Sequence, residues 1–284
     1  MIERSEFRLT VSCPDRLGIV ARVARLIADA EGWITEAAQH TDTEAHWFFM
    51  RWVFSLPAGG DLNLSGSFDE LAGEFSMHWS LVRTDARPRV VILVSREPHC
   101  LTDLLARWRS GELPMEIPAI VSNHRVLEEV ASCYGIPFEH VPVTRESREE
   151  AFSLLRERLD VLGADTVVLA RYMQILPPDL CSTFRGRVIN IHHSFLPSFV
   201  GARPYHQAFA RGVKLIGATC HYVTEDLDAG PIIEQDVARI RHDDQVDDLI
   251  RKGRDVERWV LARGLRYHLE GRVLTHGNKT IVFD

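Results

Sequence analysis

The sequence predicts an α/β protein made of two parts. Residues 1–84 are expected to form a small domain with elements in the order β-α-β-β-α-β, and residues 85–284 a larger, mostly parallel α/β domain. Apolar residues alternate with a period of two in the strands of the first part, whereas the second part has short continuous apolar runs between amphipathic helices. The polar, proline-containing residues 84–88 separate the two patterns and are the expected linker.

The first part contains each element of that order. Its first strand is predicted from alternating apolar side chains at Phe7, Leu9, Val11 and Cys13. Asp15 is the expected N-cap of the helix that follows, and strands are predicted at residues 34–40, 47–54 and 79–82. A second helix is predicted from the helical spacing of Phe68, Leu71, Ala72 and Phe75. This succession is typical of a ferredoxin-like fold.

The second part alternates strands with helices. Strands are predicted at residues 90–94, 117–121, 166–170, 187–191, 215–223 and 232–240, and helices at residues 101–108, 126–134 and 146–162 and from residue 246 onward. Such alternation indicates a parallel, Rossmann-like sheet. Ligands of such sheets bind beyond the carboxyl ends of the strands, so the residues that follow each strand are the first to consider.

Composition excludes several classes of protein. The formal net charge of -7 argues against nucleic-acid binding, which requires clustered positive charge. No stretch approaches the roughly 18 apolar residues of a membrane span. The five cysteines include no C-x-x-C pair, which argues against a disulfide framework and a structural zinc site. We therefore expect a cytoplasmic protein with no membrane or nucleic-acid partner.

Three polar side chains stand out near the ends of two predicted strands. Asn190 and His192 lie two residues apart at the end of an apolar strand, so they point to the same side. An amide and an imidazole donor at one point suit a carbonyl oxygen that gains negative charge. Asp228 lies in an acidic loop after a later strand, where a carboxylate can hold a protonated histidine or orient and deprotonate a water.

Spacing alone leaves other interpretations open. The pattern at His192 fits a hydrogen-bonded core histidine as well as it fits a catalytic one. Asp228 could equally be a carboxylate that caps its own turn. A serine triad through Ser194 lacks the G-x-S-x-G elbow. A zinc site is a further alternative, but neither an H-E-x-x-H motif nor a cysteine pair supports it. Its candidate ligands are His192, His193, His206 and His221.

Two long segments resemble the folate-dependent formyltransferase superfamily. Residues 190–209 read NIHHSFLPSFVGARPYHQAF, and residues 217–233 read GATCHYVTEDLDAGPII. The superfamily includes glycinamide ribonucleotide formyltransferase and methionyl-tRNA formyltransferase. The resemblance implies that Asn190, His192 and Asp228 are the catalytic residues, that a folate is the substrate, and that neither a metal nor a cofactor takes part.

The resemblance also implies a folate pocket. Residues 170–176, ARYMQIL, resemble the segment whose backbone holds the pterin ring, and residues 224–228 resemble the opposite wall. The substrate-binding residues implied in this way are Met173, Gln174, Ile175, Leu176, His193, Thr224 and Asp226. On local pattern alone, the three apolar residues of this set would be assigned to plain core packing.

Two features resemble the members of the superfamily that hydrolyse 10-formyltetrahydrofolate with water. Residues 95–100, SREPHC, stand where glycinamide ribonucleotide formyltransferase has a glycine-rich phosphate loop, but they contain an acid and a proline without an N–H. His193 stands where the transferases carry a small residue or proline; it is expected to contact the water or exclude an acceptor. The alternatives are a formyltransferase with an unknown acceptor and a non-catalytic folate or amino-acid sensor.

The N-terminal part resembles an ACT domain. Residues 15–20, DRLGIV, resemble the signature D-x-x-G-I-V, whose loop binds free amino acids at subunit interfaces in that family. The resemblance implies effector contacts from Asp15, Gly18 and Ile19, with methionine or glycine as the effector. It also implies a homo-oligomer, either a dimer or a tetramer.

Overall fold

The computed structural model describes residues 4–58, 60–197 and 204–284. Residues 198–203, which belong to the first of the two formyltransferase-like segments, lie outside the described residues. The chain forms two compact units. One comprises the described residues up to Ala86 with Glu270–His276 and Thr280–Asp284, and the other comprises Arg87–Leu269 with Gly277–Lys279.

The first unit has the predicted element order. Its elements are β1 (Arg4–Pro14), α1 (Ile19–Asp29), β2 (Trp33–Asp42), β3 (Trp47–Pro57), α2 (Gly60–Phe75) and β4 (His78–Arg83). The sheet order is β2-β3-β1-β4, and every neighbouring pair is antiparallel. This order confirms the ferredoxin-like prediction.

The core of the first unit lies between this sheet and its two helices. The alternating apolar residues of β1 are all buried, together with Ile19, Val23 and Ile27 of α1. The predicted N-cap was wrong: Gly18 takes the cap position with φ 92°, and Asp15 donates its backbone N–H to the carbonyl of His46 instead. A left-handed backbone at the cap suits glycine, which has no Cβ to clash.

A C-terminal hairpin groups with the first unit. Its strands are β12 (Val273–His276) and β13 (Lys279–Val282). The His276 ring stacks on Trp47 with centroids 4.4 Å apart, and Arg51 donates to the carbonyl oxygen of Glu270 at 3.3 Å. The sequence-based boundary assigned all residues after 84 to the second domain, because nothing in the local pattern of the hairpin indicates a partner more than 200 residues earlier.

The second unit is built on one seven-stranded sheet. Its strands are β5 (Val90–Val94), β6 (Ile120–Ser122), β7 (Phe138–His140), β8 (Thr166–Leu169), β9 (Val188–His192), β10 (Leu215–Tyr222) and β11 (Ile232–Arg239). Its helices are α3 (His99–Arg109), α4 (Glu128–Cys133), α5 (Arg148–Val161), α6 (Pro178–Thr183), α7 (Pro204–Arg211) and α8 (Val246–Leu269). The prediction of a mostly parallel sheet is confirmed. The short elements β7, α6 and α7 were not predicted, because a few residues give no measurable periodicity.

The strand order positions the cavity described below. The order is β11-β10-β9-β8-β5-β6-β7, with β5 to β9 parallel and β10 and β11 antiparallel. The chain leaves β5 toward β6 and β7, then returns to place β8 and β9 on the other side of β5. The strand order therefore reverses between β5 and β8, next to the carboxyl ends of β8 and β9. Within the described residues, no helix is long and apolar enough to cross a membrane.

We predict that His276→Ala destabilises the first unit. Loss of the ring contact with Trp47 should lower the free energy of unfolding by about 1 kcal/mol. Hydrogen–deuterium exchange should become faster in β3 and stay unchanged in β5. His78→Ala, which removes an exposed histidine of β4, is the matched control. Exchange in β3 that matches this control would contradict a structural role of the hairpin.

Candidate active site

A cavity of about 350 Å³ opens at the carboxyl ends of β8 and β9. The segment after β8 forms one wall, the end of β9 forms the floor, and the loop between β10 and β11 forms the opposite wall. Its lining residues are Leu169, Arg171 to Leu176, Cys181, Asn190 to His193, His221 and Val223 to Asp228. This cavity lies at the carboxyl edge of the parallel strands, next to the reversal of strand order, and holds the polar residues identified in the sequence.

Asn190, His192 and Asp228 meet in this cavity. Asn190 and His192 alternate along β9 and face the same side, as strand geometry requires. His192 Nδ1 lies 3.3 Å from Asp228 Oδ2. His192 Nε2 is buried and has no hydrogen-bond partner among the described residues. One nitrogen of His192 is therefore held by the carboxylate, and the other is not used by the described part of the protein.

His221 completes this group, although the sequence had indicated it only as a candidate zinc ligand. Antiparallel pairing of β9 and β10 sets it directly opposite Asn190. His221 Nδ1 lies 2.9 Å from the Tyr222 carbonyl oxygen, so this nitrogen carries the proton. With the proton on Nδ1, Nε2 is the acceptor for Asn190 Nδ2 at 3.2 Å, which orients the amide. The signal in the sequence that could have found it is a histidine in a mostly apolar strand.

The electrostatics of the site keep Asp228 ionised. The hydrogen bond with His192 is the main cause that holds the pKa of the Asp228 carboxyl well below its usual range, although partial burial acts in the opposite direction. His221 Nε2 lies 3.7 Å from Asp228 Oδ1. Asp228 also has φ 54°, in the left-handed region, which aspartate tolerates better than most residues. The loop thus holds a charged carboxylate against two imidazoles.

All seven residues implied to bind substrate line the cavity. Met173 and Ile175 are more than half exposed, as is Leu227 on the facing loop, so three apolar side chains border the opening. The Met173 N–H donates to the buried Ser95 hydroxyl, which in turn donates to Asn123. These bonds fix the backbone of the segment after β8. Two apolar edges with a fixed backbone between them suit a flat aromatic ligand.

A buried polar network lies next to the cavity. Glu257 of α8 is 1% exposed; its carboxylate accepts from Tyr205 at 2.7 Å and lies 2.8 Å from His99 Nε2 and 3.4 Å from Arg171 Nε. Arg171 Nη1 lies 2.9 Å from His193 Nδ1. The sequence does not indicate this network, because its residues come from separate parts of the chain and no local motif connects them.

The network contains one possible metal-ligand set among the described residues. The potential ligand atoms of His99, Cys100 and Glu257 lie within 4.8 Å of one another. However, the Glu257 oxygens already accept hydrogen bonds, and the Arg171 guanidinium beside them would repel a cation. Burial also raises the pKa of the Cys100 thiol well above its usual value, so no thiolate is available. The arrangement suits an internal ion pair better than a metal site.

The loop after β5 engages its own side chains. Glu97 pairs with Arg254 at 2.7 Å, and Pro98 takes the N-cap position of α3. A phosphate would meet a carboxylate and a missing N–H at this helix start. Both features disfavour a phosphate at this position, and weak phosphate binding stays a prediction.

The residues implied to bind an effector lie in the first unit. Asp15 and Gly18 are exposed, and an added Cβ at Gly18 would meet nothing within 4 Å. Ile19 is 2% exposed and belongs to the core, so its side chain is not available to a ligand.

We predict that Gly253→Ala lowers stability. Gly253 lies one turn of α8 before Glu257, and a Cβ at this position would collide with the Tyr205 hydroxyl. The better helix propensity of alanine, about 1 kcal/mol, would be outweighed by an overpacking cost of about 1–3 kcal/mol. Thermal unfolding measures the difference. The control Gly66→Ala in α2, where an added Cβ meets nothing within 4 Å, should be neutral or stabilising; equal melting points for the two variants would refute the packing argument.

Comparison with known proteins agrees with this geometry. Residues 88–265 match the formyl transferase family. The chain is 49% identical to the formyltetrahydrofolate deformylase of Synechocystis over 97% of both chains. It superimposes on the crystal structure of a Pseudomonas syringae formyltetrahydrofolate deformylase with a TM-score of 0.95 and 56% identity, covering 99% of this chain and 95% of that one.

A more distant relative shares only part of the chain. Glycinamide ribonucleotide transformylase 1 from Symbiobacterium toebii gives a TM-score of 0.65 at 31% identity, covering 70% of this chain and 95% of its own. The similarity to the deformylases, by contrast, extends over nearly the whole length of both chains. This chain belongs to the formyltetrahydrofolate deformylase family.

Proposed function

We propose that this protein hydrolyses 10-formyltetrahydrofolate to formate and tetrahydrofolate. The observation that carries this proposal is the meeting of Asn190, His192 and Asp228 at one cavity, in a chain similar over its whole length to formyltetrahydrofolate deformylases. The apolar border formed by Met173, Ile175 and Leu227 suits the pterin ring. Thr224 and Asp226, on the same loop as Leu227, would supply polar contacts to it.

Two donors would stabilise the developing oxyanion. One N–H of the Asn190 amide is directed at His221, which leaves the other for the formyl oxygen. When His192 is protonated, its Nδ1–H donates to Asp228, and its Nε2–H is available for the same oxygen. Preorganised donors of this kind commonly contribute about 10²–10³-fold to turnover.

Asp228 would receive the proton of the attacking water. A carboxylate with a low pKa is a weak base toward free water, but a water oxygen becomes strongly acidic once its bond to the formyl carbon forms. The carbon–N10 bond then breaks as N10 takes up the proton held by Asp228, and the formic acid that forms loses its remaining acidic proton to solvent, so the products are formate and tetrahydrofolate. This route needs neither a metal nor a cofactor.

The loop at residues 95–100 favours water over an acceptor amine. The transferases of the superfamily resemble this chain in the second unit, but here Glu97 and Pro98 stand where an acceptor phosphate would have to bind. Without a held acceptor, water is the available nucleophile. The same reasoning disfavours a transferase with an unknown phosphorylated acceptor.

The first unit is proposed to regulate and assemble the enzyme. The exposed loop at Asp15 and Gly18 and the exposed edge strand β2 support an amino-acid effector, methionine or glycine, and a dimer or tetramer. Calorimetric titration with each amino acid and light scattering test these two points. The enzyme is proposed to be cytoplasmic and to act in one-carbon metabolism, where it would release formate and tetrahydrofolate for purine biosynthesis.

We predict rapid formate release from 10-formyltetrahydrofolate in the absence of any acceptor. Water is the only nucleophile in that assay, so formate and tetrahydrofolate should appear in equal amounts. Release that depends on an added amine would identify a transferase. Tight folate binding without turnover would identify a sensor.

We predict that Asp228→Asn lowers kcat at least about 100-fold, because the amide cannot accept the water's proton or balance a protonated His192. Asp160→Asn, a change at an exposed position of α5, is the control and should leave kcat unchanged. Near-normal turnover in a folded Asp228→Asn variant would remove this residue from the mechanism.

A further inference from the structure

The network next to the cavity determines the position of Arg171. The Glu257 carboxylate is almost fully buried, and a buried charge requires a compensating partner. Arg171 supplies that charge 3.4 Å away, whereas Tyr205 contacts one carboxylate oxygen and His99 the other at hydrogen-bond distance. Burial alone would raise the pKa of Glu257, but hydrogen bonding with His99 and the Arg171 charge outweigh it, so the pKa is lowered. The ion pair therefore persists at neutral pH.

The backbone of Arg171 also indicates a fixed position. Its φ is 64°, in the left-handed region that residues other than glycine rarely occupy. Such a conformation persists only where the surroundings fix it, and it occurs often at functional sites. Here it lets one guanidinium reach Glu257 through Nε and His193 through Nη1.

The contact with Arg171 determines the proton position on His193. A guanidinium has five N–H donors and no acceptor, so His193 Nδ1 must be the acceptor of this 2.9 Å bond. The single proton of the neutral ring then lies on Nε2. Burial, the Arg171 charge and His192 lower the pKa of His193 to about 4, against smaller opposite effects of Glu257 and Asp228. Tyr205, which also faces the ring, carries no charge at neutral pH because burial and Glu257 raise its pKa.

His193 faces the reacting groups. It lines the cavity, and its ring stacks on His192 with centroids 4.8 Å apart and an interplanar angle of 21°. Because Nδ1 is occupied by Arg171, only the Nε2–H remains for a ligand. That nitrogen can donate a hydrogen bond but cannot accept a proton.

We propose that Arg171, held by Glu257, fixes His193 as a neutral Nε2–H donor that positions the attacking water through the water's second lone pair and does not act as its base. This inference rests on the proposed hydrolysis. It assigns Arg171 and Glu257 as positioning residues that act through His193, and it leaves Asp228 as the acceptor of the water's proton.

The proton position is tested directly, without an assay of activity. Nitrogen-15 spectra of the histidine-labelled full chain should show His193 with its proton on Nε2 and a titration midpoint near pH 4. In Arg171→Gln the midpoint should rise, because the neighbouring positive charge is lost. An Nδ1–H ring, or a midpoint in the ordinary range near 6.5 in the wild type, would overturn the proposal.

Two substitutions of His193 separate a donor from a base. His193→Gln keeps a nontitratable N–H near the Nε2 position, and His193→Leu removes it. We expect kcat to fall less than about tenfold in the glutamine variant and about 100-fold in the leucine variant. Equal, large losses would overturn the donor role. The wild type serves as the reference: if it releases no formate without an acceptor, the proposed function fails, whereas the spectra still decide the state of His193.

Discussion

The arrangement of the cavity depends on one carboxylate shared between two imidazoles. Asp228 pairs with His192 and approaches His221, and His221 in turn orients Asn190. The pKa of the Asp228 carboxyl is lower in the folded chain than in the unfolded one. The resulting stabilisation is therefore present above the ordinary carboxyl pKa of about 3.9 and is lost as the pH falls toward the folded value. The same contacts that stabilise the loop place the catalytic candidates within reach of one carbonyl.

A second charged group lies behind the first, and the two differ in exposure. Asp228 borders the cavity, whereas Glu257 is buried with Arg171. A buried ion pair contributes little net stability, because desolvation offsets most of the attraction. Its value here is geometric: it fixes a guanidinium next to His193. Polar residues outside the cavity therefore help to position the groups that line it.

The sequence predicted those parts of the molecule that local periodicity determines. Alternation along β9 placed Asn190 and His192 on one face, and alternation along β1 predicted the core of the first unit. His221 was assigned no role beside Asn190, because the register of β9 against β10 cannot be derived from either strand alone. Glu257 and Arg171 were missed since they meet only through tertiary packing. Resemblance to a known superfamily supplied the pocket residues, which spacing alone would have assigned to the core.

The C-terminal hairpin makes the first unit discontinuous along the chain. Trp47 and Arg51 emerge early from the ribosome, but their partners His276 and Glu270 are translated after the entire second unit. Domains generally form as units in order of synthesis, yet the first unit here cannot acquire its full set of contacts first. Until the hairpin has been synthesised, the sheet of the first unit lacks its contacts at Trp47 and Arg51. The Trp47 ring is then exposed to chaperones or to premature association with other chains.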